Sequence, residues 1–304
     1  MRNHLWKRRF EPSTQGNKTK FHGLICCWYF DGKKMWDPLF IVDTPISVWH
    51  TKKGGGITGM VEKDYSFYGK PEQYTVSLRN ESIDLNCRLT PVNKALSSPV
   101  HRVTHKPFGM KYEIYKHLLY DFQGEMMEEN SFKKVKGTAY FQKVLVNAPA
   151  FPWFWGMFST ENGYYLDYML PHLGPSAFRR KKSHRSGLDR SPIYINPSIE
   201  FFDAGKKEWT IFTKTKIQKE YRKNLPVFKV KGNSSQAHIE LEATTYSRAH
   251  WRFQQGSSKK RVFYYNEYPA TLTGFQYRKG ARKLNLDDLG HATGNCEHSW
   301  GSLF

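Results

Sequence analysis

A chain of 304 residues can bury one large core or two smaller ones, and 16% aromatics with 15 prolines and 23 glycines exclude a disordered polymer. The formal net charge of +20 favours anionic partners such as nucleic acid, an anionic membrane surface or acidic ligands. No apolar run approaches the roughly 18 residues of a membrane-spanning helix. The basic start, Met1 to Phe10, is not followed by the apolar core of a secretory signal, so a cytoplasmic protein, at most peripheral to a membrane, is expected.

Residues 1–20 are basic and polar and read as a loose arm. From Phe21 to Asp31 the pattern is strand-like and ends at an Asp31-Gly32 turn, and Pro38–Asp43 continues it. Cys26, Cys27, Cys87 and Cys296 show neither C-x-x-C nor zinc spacing, so reduced, packed thiols are expected. Residues 52–56 are glycine-rich, but no G-K-[ST] follows to make a phosphate loop. Ile83–Leu89 alternates apolar and polar residues, the mark of a half-buried strand. Pro91–Pro107 reads as a long irregular loop. Its His101 and His105 have a spacing that suits metal only on a helix, which the nearby prolines oppose, so no metal site is expected. Lys111–Leu118 reads as a strand and Asp121–Lys136 as a helix or polar excursion.

The stretch Gly137–Pro171 concentrates the most information. Thr138–Asn147 is β-branched and aromatic, Ala148–Pro152 breaks it, and Trp153–Ser159 and Tyr164–Leu170 flank Asn162-Gly163 as a hairpin. Between Phe151 and Leu170, Asp167 is the one charged side chain besides Glu161 at the turn. A carboxylate among Trp153, Trp155, Phe158, Tyr165 and Tyr168 is either a paired structural group or a working acid. A two-residue type I′ turn pairs Phe158 with Asp167 and sends Trp153 and Trp155 to the other face. A three-residue loop with a glycine bulge puts Asp167 beside Met157 and Trp155. The first register is preferred.

After Pro171 the composition turns basic, with the run Arg179–Arg185. The segment 172–192 reads as a linker, and the run as either a solvated loop or a contact with anionic lipid. Strands resume at Ile199–Phe202, Trp209–Lys214, Val227–Lys231, the cleanly alternating Gln236–Thr244, Arg248–Gln255, Arg261–Tyr268, Thr271–Arg278 and Thr293–Trp300. Each half thus offers about eight short strands, the signature of a small antiparallel barrel or sandwich. Aromatics gather around His250, Trp251, Tyr265 and Glu267, and again around Glu297 and His298. Each of these glutamates reads as a structural hydrogen-bonding group or a working acid. Basic and aromatic residues interleave around Tyr246–Phe253, but with Lys and Arg otherwise dispersed nucleic acid is not the expected partner.

The order Y-F-Q-x-V, N-A-P, W-x-W-G and L-D-Y-x-x-P along 140–171, followed by Tyr265-x-Glu267-Tyr268 before Thr273-Gly274, resembles the AttH-like proteins and carotenoid 1,2-hydratases. The resemblance runs from about Gly23 to the C-terminus. It implies an all-β fold of two consecutive antiparallel lipocalin-like (calycin) barrels. The expected division is residues 1–20 as the arm, 21–171 as the first barrel, 172–192 as the linker and 193–304 as the second barrel. It also implies an apolar, isoprenoid or lipid-like ligand held in an aromatic-lined cavity, with hydration, cyclisation or a pericyclic reaction carried out without cofactor. Carried over by position, Asp167 matches the family's acid and Tyr165 its neighbour. Glu267 is the further catalytic candidate, and Trp153, Trp155, Phe158, His250, Trp251, Tyr265, Glu297 and His298 are the ligand-binding candidates. The family's His-x-Trp has no match, since Trp153-Phe-Trp155 lacks the histidine and His250-Trp251 has another gap. A non-catalytic lipid or stress-related carrier using the same cavity is the alternative reading.

Overall fold

The computed structural model describes residues 2–7, 14–15, 18–50, 57–61, 64–70, 72–79, 83–92, 100–105, 111–128, 131–147, 151–173, 193–254 and 262–302. Among them every regular element is a strand except one short helix. The chain divides into two compact units, one of residues 1–29 and 38–148, the other of residues 30–37 and 149–304. The all-β, two-barrel expectation holds.

The first unit is built from β1 (Arg2–Lys7), β2 (Thr14–Gln15), β3 (Lys18–Phe30), β4 (Met35–His50), β5 (Ile57–Val61), β6 (Tyr65–Lys70), β7 (Gln73–Arg79), β8 (Asp84–Pro91), β9 (Val100–His105), β10 (Lys111–Glu128) and β11 (Ser131–Asn147). They form one antiparallel sheet in the order β1-β3-β4-β5-β6-β7-β8-β10-β11, with β2 on β3 and β9 on β10. The alternation read in Ile83–Leu89 is realised: Ile83, Leu85, Cys87 and Leu89 are buried and Asn86 and Arg88 exposed. Three expectations are corrected. The supposed arm contains β1, which pairs with β3 from Arg2↔Trp28 to Lys7↔Gly23. The supposed loop 91–107 contains β9, paired with β10 from Lys111↔His105 to Lys116↔Val100. Asp121–Lys136 is no helix but the outer half of the long β10–β11 hairpin, where period two holds: Phe122 and Met126 turn inward and Asp121, Gln123 and Glu125 outward. The glycine-rich residues 52–56 lie outside the described residues, as does the basic run Arg179–Arg185.

The second unit adds β12 (Trp153–Thr160), β13 (Tyr165–Leu173), β14 (Ile193–Tyr194), β15 (Ser198–Asp203), β16 (Glu208–Phe212), β17 (Lys214–Arg222), β18 (Leu225–Asn233), β19 (Ala237–Thr245), β20 (Ala249–Gln254), β21 (Val262–Lys279), β22 (Arg282–Asn285), the helix α1 (Leu286–Leu289) and β23 (Ala292–Ser302). Its main order is β16-β15-β13-β12-β23-β21-β19-β18-β17. The hairpin β12–β13 therefore belongs to this sheet and not to the first. Trp153–Thr160 pairs with β23 and Tyr165–Met169 with β15, so the break in the chain falls at 148/149, where Ala148–Pro152 interrupts the strand pattern. The linker expected at 172–192 lies inside the second unit, and its residues 174–192 are outside the described ones. β17 went unread because its turn, Lys223-Asn224, reaches positive φ at both residues without a glycine.

The sheet curls on itself. On its inner face Phe201 and Phe212 meet Tyr277 at ring separations of 4.6 and 6.4 Å, and Thr210 Oγ1 lies 3.0 Å from Tyr277 Oη. Gly232 on β18 permits this approach, since a Cβ there would stand 2.8 Å from Ile199 Cδ1 and 2.9 Å from Phe212 Cβ. Burial pushes the Cys296 thiol in this core up to about 12 and holds the Tyr168 and Tyr268 hydroxyls well above their ordinary range. The four cysteines are all buried thiols. Among the described residues no helix is long and apolar enough to cross a membrane.

Candidate functional site

The register of the β12–β13 hairpin decides which side chains meet. Met157 pairs with Asp167, Trp155 with Met169 and Phe158 with Leu166. This is the glycine-bulge register and overturns the preferred type I′ pairing. Thr160 N–H donates to Tyr164 O (3.2 Å), Gly163 N–H to Thr160 O (3.1 Å), and only Gly163 of the turn has positive φ, +79°. The cause lies outside the hairpin. Asn162 N–H donates to Leu289 O and its Nδ2 to Asp288 O, while Glu161 N–H donates to His291 O, so α1 and the chain after it grip the turn in this form. A sequence window of the hairpin alone cannot contain that grip.

The consequence is one outer face shared by Trp153, Trp155, Tyr165, Asp167, Tyr265, Glu267 and Glu297, with Phe158 on the inner face among the core rings. Trp155 stands opposite Glu297, which stands opposite Glu267. In the next row Trp153, Ser299, Tyr265 and Trp251 follow one another across four strands. Asp167 stands opposite Glu200 of β15. Directly opposed residues place their Cβ atoms about 5 Å apart, so the face holds two cross-strand carboxyl pairs. All four are buried, with relative exposures of 0% for Asp167, 2% for Glu200, 4% for Glu267 and 5% for Glu297.

Three carboxyls accept a bond from a neighbouring ring system. Tyr165 Oη donates to Asp167 Oδ2 at 3.0 Å, Tyr265 Oη to Glu267 Oε1 at 2.8 Å and Trp153 Nε1 to Glu297 Oε2 at 2.9 Å. The two tyrosines sit two residues before their acids, the spacing that puts both on one side of a strand. Ser299 Oγ accepts from Trp153 N–H at 2.8 Å and fixes the start of β12. Phe263 and Tyr265 lie 5.2 and 5.8 Å from the Trp153 ring, and Trp209 lies 6.0 Å from Tyr165. Acids, aromatic donors and π-faces thus share one desolvated surface.

No family model matches the chain, and no curated protein matches it. Solved structures do so in shape, among them the following two. An AttH-like protein from Nitrosomonas europaea has a TM-score of 0.52 at 12% identity, over 95% of this chain and 83% of that one. Kievitone hydratase from Nectria haematococca has a TM-score of 0.52 at 10% identity, over 98% and 82%. The fold is AttH-like. At such identities the likeness speaks for the fold alone, and the residues must carry the chemistry.

Within this AttH-like fold, three of the expected ligand residues stand apart from the carboxyl face: Phe158, on the inner face, and the two histidines. His250 is exposed and gives both its N–H and its Nδ1 to Asp37 Oδ2, at 2.8 and 2.7 Å. His298 points inward, stacked on Phe154 at 4.3 Å and 2°. Both histidine departures follow from strand parity: each histidine neighbours an outward residue, Trp251 or Glu297, and so faces the other way. Sequence reasoning missed Glu200, although a lone acid inside Ile199–Phe202 carries the same signal as Asp167. It also missed Lys219 and His172, which are buried on the inner face. Only the parity of their strands reveals them.

Proposed function

We propose that the outer carboxyl face of the second unit is an acid–base site of a hydratase-type lyase acting on an apolar, isoprenoid-like alkene without cofactor. One observation carries the reading: Glu267 and Glu297 stand directly opposite each other, buried, each held by an aromatic donor and flanked by Trp153, Trp155, Trp251 and Tyr265. Hydration needs a proton delivered to one alkene carbon, a water oxygen bonded to the other, and a base for the proton that water loses. Two facing carboxyls supply donor and acceptor, and the surrounding π-faces stabilise the intervening cation. That a protein of this fold is named a hydratase supports the reaction class. Asp167, with Tyr165 and Glu200, is a second such centre, two strands or about 10 Å across the sheet.

The test is incubation of the full chain with terminal isoprenoid alkenes, beginning with squalene, and mass spectrometry for a product heavier by one water. Lipids that co-purify with the protein name better substrates for a second round. Saturable binding of those lipids with no turnover of any would leave the carrier reading in place of the enzyme.

A further inference from the structure

Beyond the carboxyl pair, the outer face of the second sheet continues along β21 for about 30 Å, to a surface that the proposed reaction does not use. There the registers of β17, β18, β19, β21 and β22 set two rows of side chains across five strands. One row runs Lys214, Asn233, His238, Arg278 and Lys283, and the next Lys216, Lys231, Glu240, Gln276 and Asn285. Their neighbours of the other parity, among them Ile239, Tyr277 and Leu284, lie in the core, which fixes the rows on the solvent side. Lys214, Lys216, Lys231, Arg278 and Lys283 are all exposed.

Charge is not evenly balanced along this face. Toward the β17–β18 turn, Lys229 bonds Glu220 at 2.8 Å and lies 3.8 Å from Glu242, which also takes Arg222 at 3.4 Å. Both carboxylates there have a cation. In the two basic rows the one carboxylate, Glu240, is bound by Lys231 at 2.9 Å and by His238 at 3.0 Å. Among the described residues, Lys214, Lys216, Arg278 and Lys283 have no carboxylate partner. The nearby strand ends add to this field. Asp203 and Glu208 are taken by Arg282 and Lys279, and Lys206 and Lys207 between them are exposed. Asp287 and Asp288 on α1, beyond Asn285, bound the patch on that side.

Strands stand about 4.8 Å apart and alternate residues about 7 Å apart, so the cations cover a patch about 20 Å by 7 Å. That is one to two Debye lengths of about 10 Å, and the charges act together on an anionic surface laid against them. Neither row carries a Phe, Tyr or Trp on which a base could stack, and single-stranded nucleic acid is held by such rings. Charge spread over an area, without stacking rings, matches the headgroups of an anionic bilayer. We infer that the outer face of β17, β18, β19, β21 and β22 docks the protein on an anionic phospholipid bilayer through Lys214, Lys216, Lys231, Arg278 and Lys283. This does not rest on the hydratase reading, so docking and turnover can fail separately.

Co-sedimentation of the full chain with phosphatidylcholine vesicles, with and without a quarter of the lipid as phosphatidylserine, tests the face. Binding to the anionic vesicles and not to the zwitterionic ones is expected, weakening as salt rises. Lys214→Gln, Lys216→Gln, Arg278→Gln and Lys283→Gln combined should weaken it about 10²-fold or more, at about fivefold for each basic residue. The same loss of charge at other exposed positions, Lys33→Gln, Arg88→Gln, Lys134→Gln and Lys136→Gln combined, should leave binding nearly unchanged. Equal losses in the two variants would reveal general attraction by the net charge of +20 and overturn the docking face. So would failure to bind anionic vesicles, or tighter binding of a single-stranded oligonucleotide that the first variant loses. Should the first variant not fold, acetylation of the unaltered protein decides: anionic vesicles must shield Lys214, Lys216 and Lys283 and leave Lys134 and Lys136 reactive.

Discussion

Strands β12, β13, β21 and β23 carry opposite chemistries on their two faces. Outward they present Asp167, Glu267 and Glu297 with Trp153, Trp155, Tyr165 and Tyr265, and inward His172, His298 and Asn266 among Phe154, Tyr168 and Tyr268. The residues alternate one by one, as Trp153-Phe154-Trp155 and Glu297-His298 show. A slip of one residue in the pairing of β23 would exchange Glu297 for His298 between the two faces. The sheet can therefore hold a carboxyl and an imidazole on adjacent residues of the chain but on opposite faces, and register is what protects the separation.

The largest way to sharpen this contrast is to remove a proton donor from one carboxyl pair at a time. Glu267→Gln should lower turnover of a hydrated alkene about 10²–10⁴-fold, the usual contribution of one general acid or base, with the melting temperature nearly unchanged. Asp167→Asn in the same assay tells whether the Glu200 pair takes part. A comparable loss assigns it to the reaction, and full turnover with a lowered melting temperature makes it structural.

Next comes a pair of neighbours on opposite faces. Phe154→Ala removes a ring stacked on both His172 and His298 in the core, and should cost about 3–5 kcal/mol in chemical denaturation. Trp155→Phe, one residue on, keeps most of the apolar body and should cost far less stability while changing turnover. Equal stability losses at the two positions would break the distinction between a packed inner face and a working outer one.

A smaller effect tests the acidic end of the interior. Burial of Asp203 by itself raises its pKa, but hydrogen bonds and charge from Arg282, with the Lys206 and Gly205 amides, outweigh it and hold the carboxyl below 3.8. A depressed folded value means that the stabilisation is full above the unfolded value near 3.8 and is lost as pH falls through the lower folded one. Arg282→Met should cost about 1–2 kcal/mol near neutrality, given the guanidinium's partial exposure, and flatten acid unfolding in that window. A variant whose acid unfolding still follows the original curve would contradict the pairing.

The smallest concerns the turn that sets the register. Gly163→Ala places a Cβ on a residue at φ +79° and should cost about 1 kcal/mol without abolishing the fold. A much larger loss, together with a change in turnover, would show that the pairing of Met157 with Asp167 depends on the glycine more than on the grip of α1.

How much of this was legible in the sequence depends on how local the cause is. Ile83–Leu89 and Gln236–Thr244 were read correctly because period-two alternation is written in the residues themselves. Tyr165, Asp167, Tyr265, Glu267, Glu297, Trp153 and Trp155 were singled out because acids inside aromatic strands stand out in any window, and they share one face of the sheet. The register at Asn162-Gly163 was not legible, since it is fixed by Leu289 and His291, more than 120 residues away. The same distance hides the partner of β12–β13, whose pairing with β23 moves the unit boundary to 148/149. Lys219 gave no signal because a lysine in Lys214–Arg222 looks like every other exposed lysine until strand parity is known.

The most direct test of the proposed chemistry is a double-mutant cycle on the facing pair, Glu267→Gln, Glu297→Gln and both together, read as turnover of one hydrated alkene. If the two carboxyls act as one donor–acceptor unit, each single variant loses nearly as much as the double, so the losses do not add. Turnover in the double variant equal to that of the unaltered protein would contradict the account, because the reaction would then need neither carboxyl.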